Sequence, residues 1–378
     1  MYNLFPFILG VIFVGINGLT QLAFAQTQGF KLKPASIGLM LAAFLSLPLG
    51  LVTPITGQSA MIALAGKTED AKQRVAALLI AAATITILGL TGAISEAVNF
   101  AGPAIMAGMM AGVGLMLTQV GVDFIVDKQK GNLPVGVVSF ISAFSIYVIF
   151  FGSPHVLVYT VAGSVAISTA YYLIIQRKGV EADQQVPEGE SESGRFWTKE
   201  YWQTEDWKLV KPKFTFKAIL SALALICLGV GITTSFGQIN ANMAGIPQNF
   251  DHLTFVSGIA GFASVIFGGM PLETIISGTA AAPWPVVGSF AVLVLLSILL
   301  LCGVVNKLCK YMPTQSIAGF LCIIGFFATF LPNLRNPAFA ENMPVAGAVM
   351  GVTALTGNPF LGVLAGVAVR AVGSVIGL

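Results

Sequence analysis

Charge is what this chain has least of. Of 378 residues only 9% are charged and two are histidine, whereas a soluble domain carries roughly 25% charged residues. So little polar surface cannot cover a water-facing globule of this size, which excludes an ordinary soluble enzyme or binding module. Cysteine is scarce as well: Cys227, Cys302, Cys309 and Cys322 lie in or at the ends of apolar stretches, without CxxC spacing. Packing is their expected role, and neither metal nor cofactor is expected. The chain also lacks HExxH, the GxxxxGK phosphate loop and GxSxG, and the GVG at Gly229 to Gly231 reads as a helix-packing feature. Without a nucleophile–base pair, an enzyme is not the expectation. The N-terminal MYNLFPFILG has no basic n-region and no small-residue cleavage site, so the first apolar run is expected to be a retained span.

What is present is apolar mass: 56% hydrophobic residues, 42 glycines and a mean hydropathy of +0.87. The class this implies is an all-α polytopic membrane protein embedded in a lipid bilayer. A helical span needs about 20 apolar residues, and spans can be read near 4 to 24, 35 to 53, 75 to 95, 101 to 124, 133 to 151 and 154 to 176. Between the second and third of these, Pro54 to Ala65 (PITGQSAMIALA) is too short to cross. It suits a short strand followed by a half-helix, tolerated at membrane depth only inside protein or beside a cavity. The second half reads alike, with spans near 216 to 236, 252 to 268, 285 to 305, 312 to 330, 342 to 357 and 359 to 377, and a short piece near 270 to 282 (MPLETIISGTAAA).

Each half therefore holds seven elements with the odd one third. The fifth elements match, AGPAIMAGMMAGVGL with Pro103, Gly108 and Gly114 answering YMPTQSIAGFLCIIGF with Pro313, Gly319 and Gly325. The seventh open alike, on Gly152-Ser153-Pro154 and Gly357-Asn358-Pro359. Seven is odd, so the second copy runs upside down relative to the first: a 7+7 inverted repeat of the secondary-transporter plan, with broken elements 3 and 10 containing short strands. The expected organisation is a first repeat over 1–176, a hydrophilic linker over 177–213, and a second repeat over 214–378.

The stretch from Arg177 to Lys217 holds eight basic and eight acidic residues. Trp197, Trp202 and Trp207 fall within it, as expected of a segment in the headgroup region rather than a nucleic-acid site. With 14 elements, seventeen basic residues outside the spans fall on one face, Arg335 on the other, and Arg370 within the last span. The positive-inside rule then places the linker in the cytoplasm of a cell (inner) membrane protein, with both termini outside.

Ionisable residues in spans are functional hypotheses because burying them is costly. Glu273, beside the start of the second half-helix, stands out, and its rival reading is a helix cap. Arg370 and His155 are expected to snorkel or sit at helix ends, and Asp123 lies near a span end.

Lys33-Pro34-Ala35-Ser36 through PITGQSAMIAL resembles the second and third elements of the nucleobase/cation symporter-2 family, which includes uracil and xanthine permeases within the nucleobase-ascorbate transporter superfamily. The similarity continues at AGPAIMAGMMAGVGL, KFTFKAILSALALICLG and GFASVIFGGMPLETIISGT. It implies a core domain and a gate domain, often dimeric through the gate. Where nucleobase carriers of that family place a carboxylate or amide in the eighth element and another just inside the tenth half-helix, this chain has Thr234 and Ser277. The family also usually keeps its termini in the cytoplasm, opposite to the charge count.

The resulting expectation is a secondary transporter of a small planar solute, a purine or pyrimidine base first, by alternating access of core against gate, with possible coupling to H+ or Na+ through Glu273. The solute is expected at Gln58, Ser59, Ala60, Thr234, Gln238, Ser277 and Gly278, between two half-helix N-termini. Scarcity of acids in that site favours the alternative, an inorganic or carboxylate anion, as in related sulfate and benzoate carriers. A scaffold or channel-like protein without coupled transport is the rival from another class. A homodimer is expected, and nucleic acid is not an expected partner.

Overall fold

The computed structural model describes residues 4, 7–8, 10–11, 18, 21–22, 25–26, 28–66, 68, 70–126, 133–153, 156–176, 202, 204–305 and 313–376. The expected first span over 4–24, Pro154, His155, Cys309, Ser191 and most of the 177–213 linker thus lie wholly or largely outside the described residues. In chain order the elements are α1 (Ala35–Ser46), β1 (Ile55–Gly57), α2 (Ser59–Gly66), α3 (Ala71–Leu90), α4 (Ala93–Val126), α5 (Leu133–Ile149) and α6 (Val156–Tyr171). The second half gives α7 (Phe216–Ala244), α8 (Phe250–Val265), β2 (Leu272–Thr274), α9 (Pro285–Leu301) and α10 (Ala318–Ile323), then α11 (Met343–Thr356) and α12 (Pro359–Ile376). Past α10 the chain continues through a π-helical stretch, Ile324–Phe330, into Leu331–Leu334.

Among the described residues four stretches, Ala71–Leu90, Ala93–Val126, Phe216–Ala244 and Gln315–Leu334, are long and apolar enough to cross a bilayer, and six shorter apolar helices accompany them. The protein is a multi-pass membrane protein, helical among the described residues but for one strand pair. Contacts divide it into a core domain, in which α1, β1, α2, α3, α7, α8, β2 and α9 pack together, and a gate domain built from α4, α5, α6, α10, α11 and α12.

Proline sets the interruptions. Each strand opens directly after one, Pro54 before Ile55 and Pro271 before Leu272, because proline has no N–H to give a helix and holds its predecessor extended. β1 and β2 pair antiparallel, Ile55 with Thr274, Thr56 with Glu273 and Gly57 with Leu272. The ladder continues as Ile275 N donates to Pro54 O at 2.8 Å. All six strand residues are buried, and each strand is the partner that satisfies its mate's backbone at membrane depth.

The inverted repeat extends to single glycines. A Cβ on Gly114 would lie 2.6 Å from Gly325 O, and one on Gly325 would lie 2.6 Å from Gly114 O, so these two corresponding residues touch one another. Gly108 abuts the Ala346 backbone of α11, while its counterpart Gly319 abuts the Ser139 backbone of α5. Close backbone approach without a side chain is how membrane helices gain packing energy.

Three boundaries differ from the sequence reading. The second span stops at Ser46 and turns through Leu47 to Gly50, because Pro48 cannot continue the helix and Gly50 takes a φ of 63°. The eighth element runs on to Ala244, where Gly245 (φ 64°) ends it with a left-handed cap. In the tenth, no α-helix follows the strand, only the single 3-10 turn Gly278–Ala281. Pro283 forces Ala282 into an extended conformation (φ −83°, ψ 158°), so the half-helix expected from Ser277 onward cannot propagate.

Part of the linker is docked. Trp207 is buried, with its ring centroid 4.5 Å from Trp202 and 6.0 Å from Phe267. Asp206 receives a 2.6 Å salt bridge from the buried Lys33, Val210 N donates to Ile266 O, and Lys213 N donates to Lys72 O. The aromatic segment, expected at headgroup level, is strapped to the core at its Trp207 end.

Candidate functional site

The site is built on α7. Its residues Gly229, Thr233, Phe236 and Asn240 recur at helical spacing and share one face. Thr233 Oγ1 donates to Glu273 Oε1 at 2.5 Å, and Thr274 N donates to the same oxygen at 3.2 Å. A Cβ on Gly229 would lie 3.3 Å from Glu273 Oε2 and 2.8 Å from Ile85 Cδ1, so glycine leaves room for the carboxylate. Glu273 also borders a cavity of about 20 Å³ beside Met61, Ile85, Ser257 and Gly258, room for a single water. Ser257 Oγ and Thr274 Oγ1 lie 3.1 Å apart. This carboxylate fastens β2 to α7 in the interior of the core.

Two turns along the same face, the fully buried Asn240 holds the exit from β2. Its Nδ2 donates to Ile275 O at 2.8 Å and its Oδ1 accepts from Ser277 N at 3.3 Å. Ser277 in turn caps the 3-10 turn, its Oγ accepting from Thr279 N at 3.2 Å. On the other strand, Gln58 Oε1 accepts from Met61 N at 3.0 Å and so caps α2. Ser59 and Ala60 open α2, where first-turn N–H groups have no partner within the helix. Because the strands are antiparallel, α2 and the turn at Gly278 leave the ladder from opposite ends.

Of the residues expected from the sequence, Gln58, Ser59, Ala60, Ser277, Gly278 and Glu273 are gathered around the strand pair. Thr234 and Gln238 are not on the α7 face that meets it. Thr234 Oγ1 returns to Val230 O and Gly231 O of its own helix. Gln238 Nε2 donates to Asn242 Oδ1 at 2.9 Å, and both line an open pocket of about 500 Å³ at the α7–α8 turn. Asn240 and Thr233 were missed. The signal was present, a polar residue two turns from another polar residue on one face of an apolar span, but beside Gln238 and Asn242 it does not stand out by composition. Among the described residues no group of acidic, histidine and cysteine side chains could hold a metal.

No protein-family model and no curated protein matches the sequence. Solved structures do. The transmembrane domain of a cyanobacterial bicarbonate transporter, BicA, aligns with 96% of this chain and 97% of its own at a TM-score of 0.57 and 15% identity. SLC26A9 aligns at a TM-score of 0.62 and 16% identity over 99% of this chain and 66% of its own. The murine Solute Carrier 26 family member A9 anion transporter, inward-facing, gives 0.62 and 15% over 98% and 68%. The fold is the one these transporters share.

That finding corrects the resemblance to nucleobase/cation symporters, since these three structures are of a bicarbonate transporter and of SLC26A9, an anion transporter. The motifs that suggested the symporters serve the backbone. A Cβ on Gly57 would lie 2.6 Å from Met270 Sδ, and one on Gly269 would lie 2.7 Å from Ser264 O. Such residues specify how two interrupted elements cross, which carries no information about the solute.

Proposed function

We propose that the protein is a secondary transporter of a small anion, working by displacement of the core domain against the gate domain. The observation that carries this reading is the state of Glu273. It is the sole acidic residue in the two interrupted elements, and it is occupied by Thr233 and Thr274 in the core interior. The two ends of the strand pair thus present backbone N–H groups, Gln58 and Ser277, while the one carboxylate is turned toward α7 and held there by hydrogen bonds, which suits an anion. The anion transporters that share the fold support the same class. In this reading the solute lies across the strand pair between the start of α2 and the turn at Gly278, and Glu273 transmits any cation coupling through β2 without touching it. The two repeats, 1–176 and 214–378, joined by 177–213 on the cytoplasmic side, supply the two domains jointly, and a homodimer forms through the gate.

The test is anion exchange by purified protein in lipid vesicles. Labelled bicarbonate or sulfate on one side should be driven by unlabelled anion on the other, and the same anions should raise the melting temperature while uracil does not. Counterflow separates a carrier from a channel or scaffold. Ser277→Leu, which fills the space at the turn, should abolish stabilisation by the anion in protein that remains folded. Stabilisation by uracil alone, or undiminished anion binding in Ser277→Leu, would sink the proposal.

A further inference from the structure

One connection between the domains is fastened in an unusual way. The stretch α4 is two helices parted at Gly102 (φ 76°, ψ 171°), directly before Pro103, which has no N–H to bridge the break. What precedes the break is a separate nine-residue arm, Ala93–Ala101, that joins α3 of the core to the shaft of α4 in the gate. Its other end is also a left-handed glycine, Gly92 (φ 76°), and a Cβ there would meet nothing within 4 Å.

The two ends are held by opposite domains. At the N-terminal end, Asp251 of the core helix α8 accepts from Ile94 N at 3.0 Å and Ser95 N at 3.1 Å with one carboxylate oxygen. At the C-terminal end, Arg370 of the gate helix α12 donates to Ala101 O and Phe100 O, both at 2.9 Å, and its guanidinium lies 5.0 Å from the Phe100 ring centroid. Each charge matches the helix terminus it meets, carboxylate on free N–H groups and guanidinium on free carbonyls. Asp251 is buried, so its end is fixed firmly.

We infer that Ala93–Ala101 is a rigid connecting rod between core and gate, pivoting on Gly92 and Gly102, and that Asp251 and Arg370 are the positioning residues that anchor its two ends. A helix of this length measures about 13 Å, so a core displacement of about 5 Å swings it through roughly 20°. That rotation is absorbed by two glycines at positive φ, where the missing Cβ leaves the backbone free to turn, and neither anchor has to break. The inference rests on the core-against-gate reading above.

The experiment measures distance and flux in parallel. Spin labels on Leu220→Cys in α7 and Leu355→Cys in α11, both exposed and in a background without native cysteines, report core against gate. The substitutions are Gly92→Ala, Gly102→Ala and Arg370→Gln, each confirmed folded by melting curve. Both alanine variants should narrow the label distance distribution and slow bicarbonate or sulfate exchange at least tenfold, with anion affinity within twofold of the parent. Arg370→Gln, which frees one end, should broaden the distribution and slow exchange as well. Parental distances in all three variants overturn the rod whatever the flux. Distances that change as expected in a protein that exchanges no anion keep the rod and remove the transport reading instead.

Discussion

Removing the Asn240 amide is the sharpest perturbation of the strand-pair site. Asn240→Ala deletes one donor and one acceptor at once, leaving Ile275 C=O and Ser277 N–H buried without the partners they have now. An unsatisfied buried polar group costs about 1 to 3 kcal/mol, so the pair comes to about 2 to 6 kcal/mol. A water admitted into the space of the lost amide would bring the figure toward the lower limit. The loss is local first, because residues 275 to 281 have no helix of their own to hold them. If the turn must be rebuilt when the anion binds, about 2 kcal/mol appears as a roughly 30-fold weaker Kd. Two assays read this directly, anion titration of protein in lipid nanodiscs and hydrogen exchange at the Ser277 amide, which should speed up by a similar factor. Unchanged protection of Ser277 together with unchanged affinity would show that Asn240 does not hold the turn, and the site as built would fall.

The gate's central contact gives a second test: Gly114→Ala and Gly325→Ala each drive a methyl against the opposite backbone and should cost about 1 to 3 kcal/mol. The double variant should cost less than the sum, because one displacement makes room for both, and a melting-curve cycle measures this. Asp206→Ala removes the carboxylate that pairs with the buried Lys33 ammonium and should lower stability by about 1.5 to 3 kcal/mol, whereas deletion of residues 180–193 should leave the melting temperature unchanged. A cysteine placed at Ser191 should be protected from an impermeant maleimide in intact cells and labelled after permeabilisation; labelling in intact cells refutes a cytoplasmic linker. Asp70 caps α3 through Lys72 N, which holds its carboxyl below the ordinary value. Its contribution is complete above pH about 4 and fades as pH falls through the lowered value. The melting difference between the parent and Asp70→Ala should therefore shrink in acid.

The parts of this molecule legible in the sequence are those where one residue type has one physical consequence. Pro54 and Pro271 interrupt helices whatever surrounds them, so both strands and their pairing could be expected from paired breaks in corresponding positions. Gly114 and Gly325 were matched as equivalent from their place after Pro103 and Pro313, and they meet in the fold. Direction on a helix was harder to read. Thr233 and Thr234 are adjacent and chemically the same, yet 100° of rotation sends one hydroxyl to Glu273 and the other back to its own carbonyls. Which of them matters depends on the rotation of α7, which is set by Gly229 against Ile85 and Gly231 against Pro359, contacts 144 and 128 residues apart in the chain. The same argument explains why a nucleobase and an anion both stayed open as substrate classes in the sequence. Strand, turn and half-helix are local consequences of proline and glycine, and any solute can use them. The charge that would discriminate solutes is decided by where one glutamate points, and Glu273 points into α7 because a glycine leaves the space and a threonine supplies the hydrogen bond.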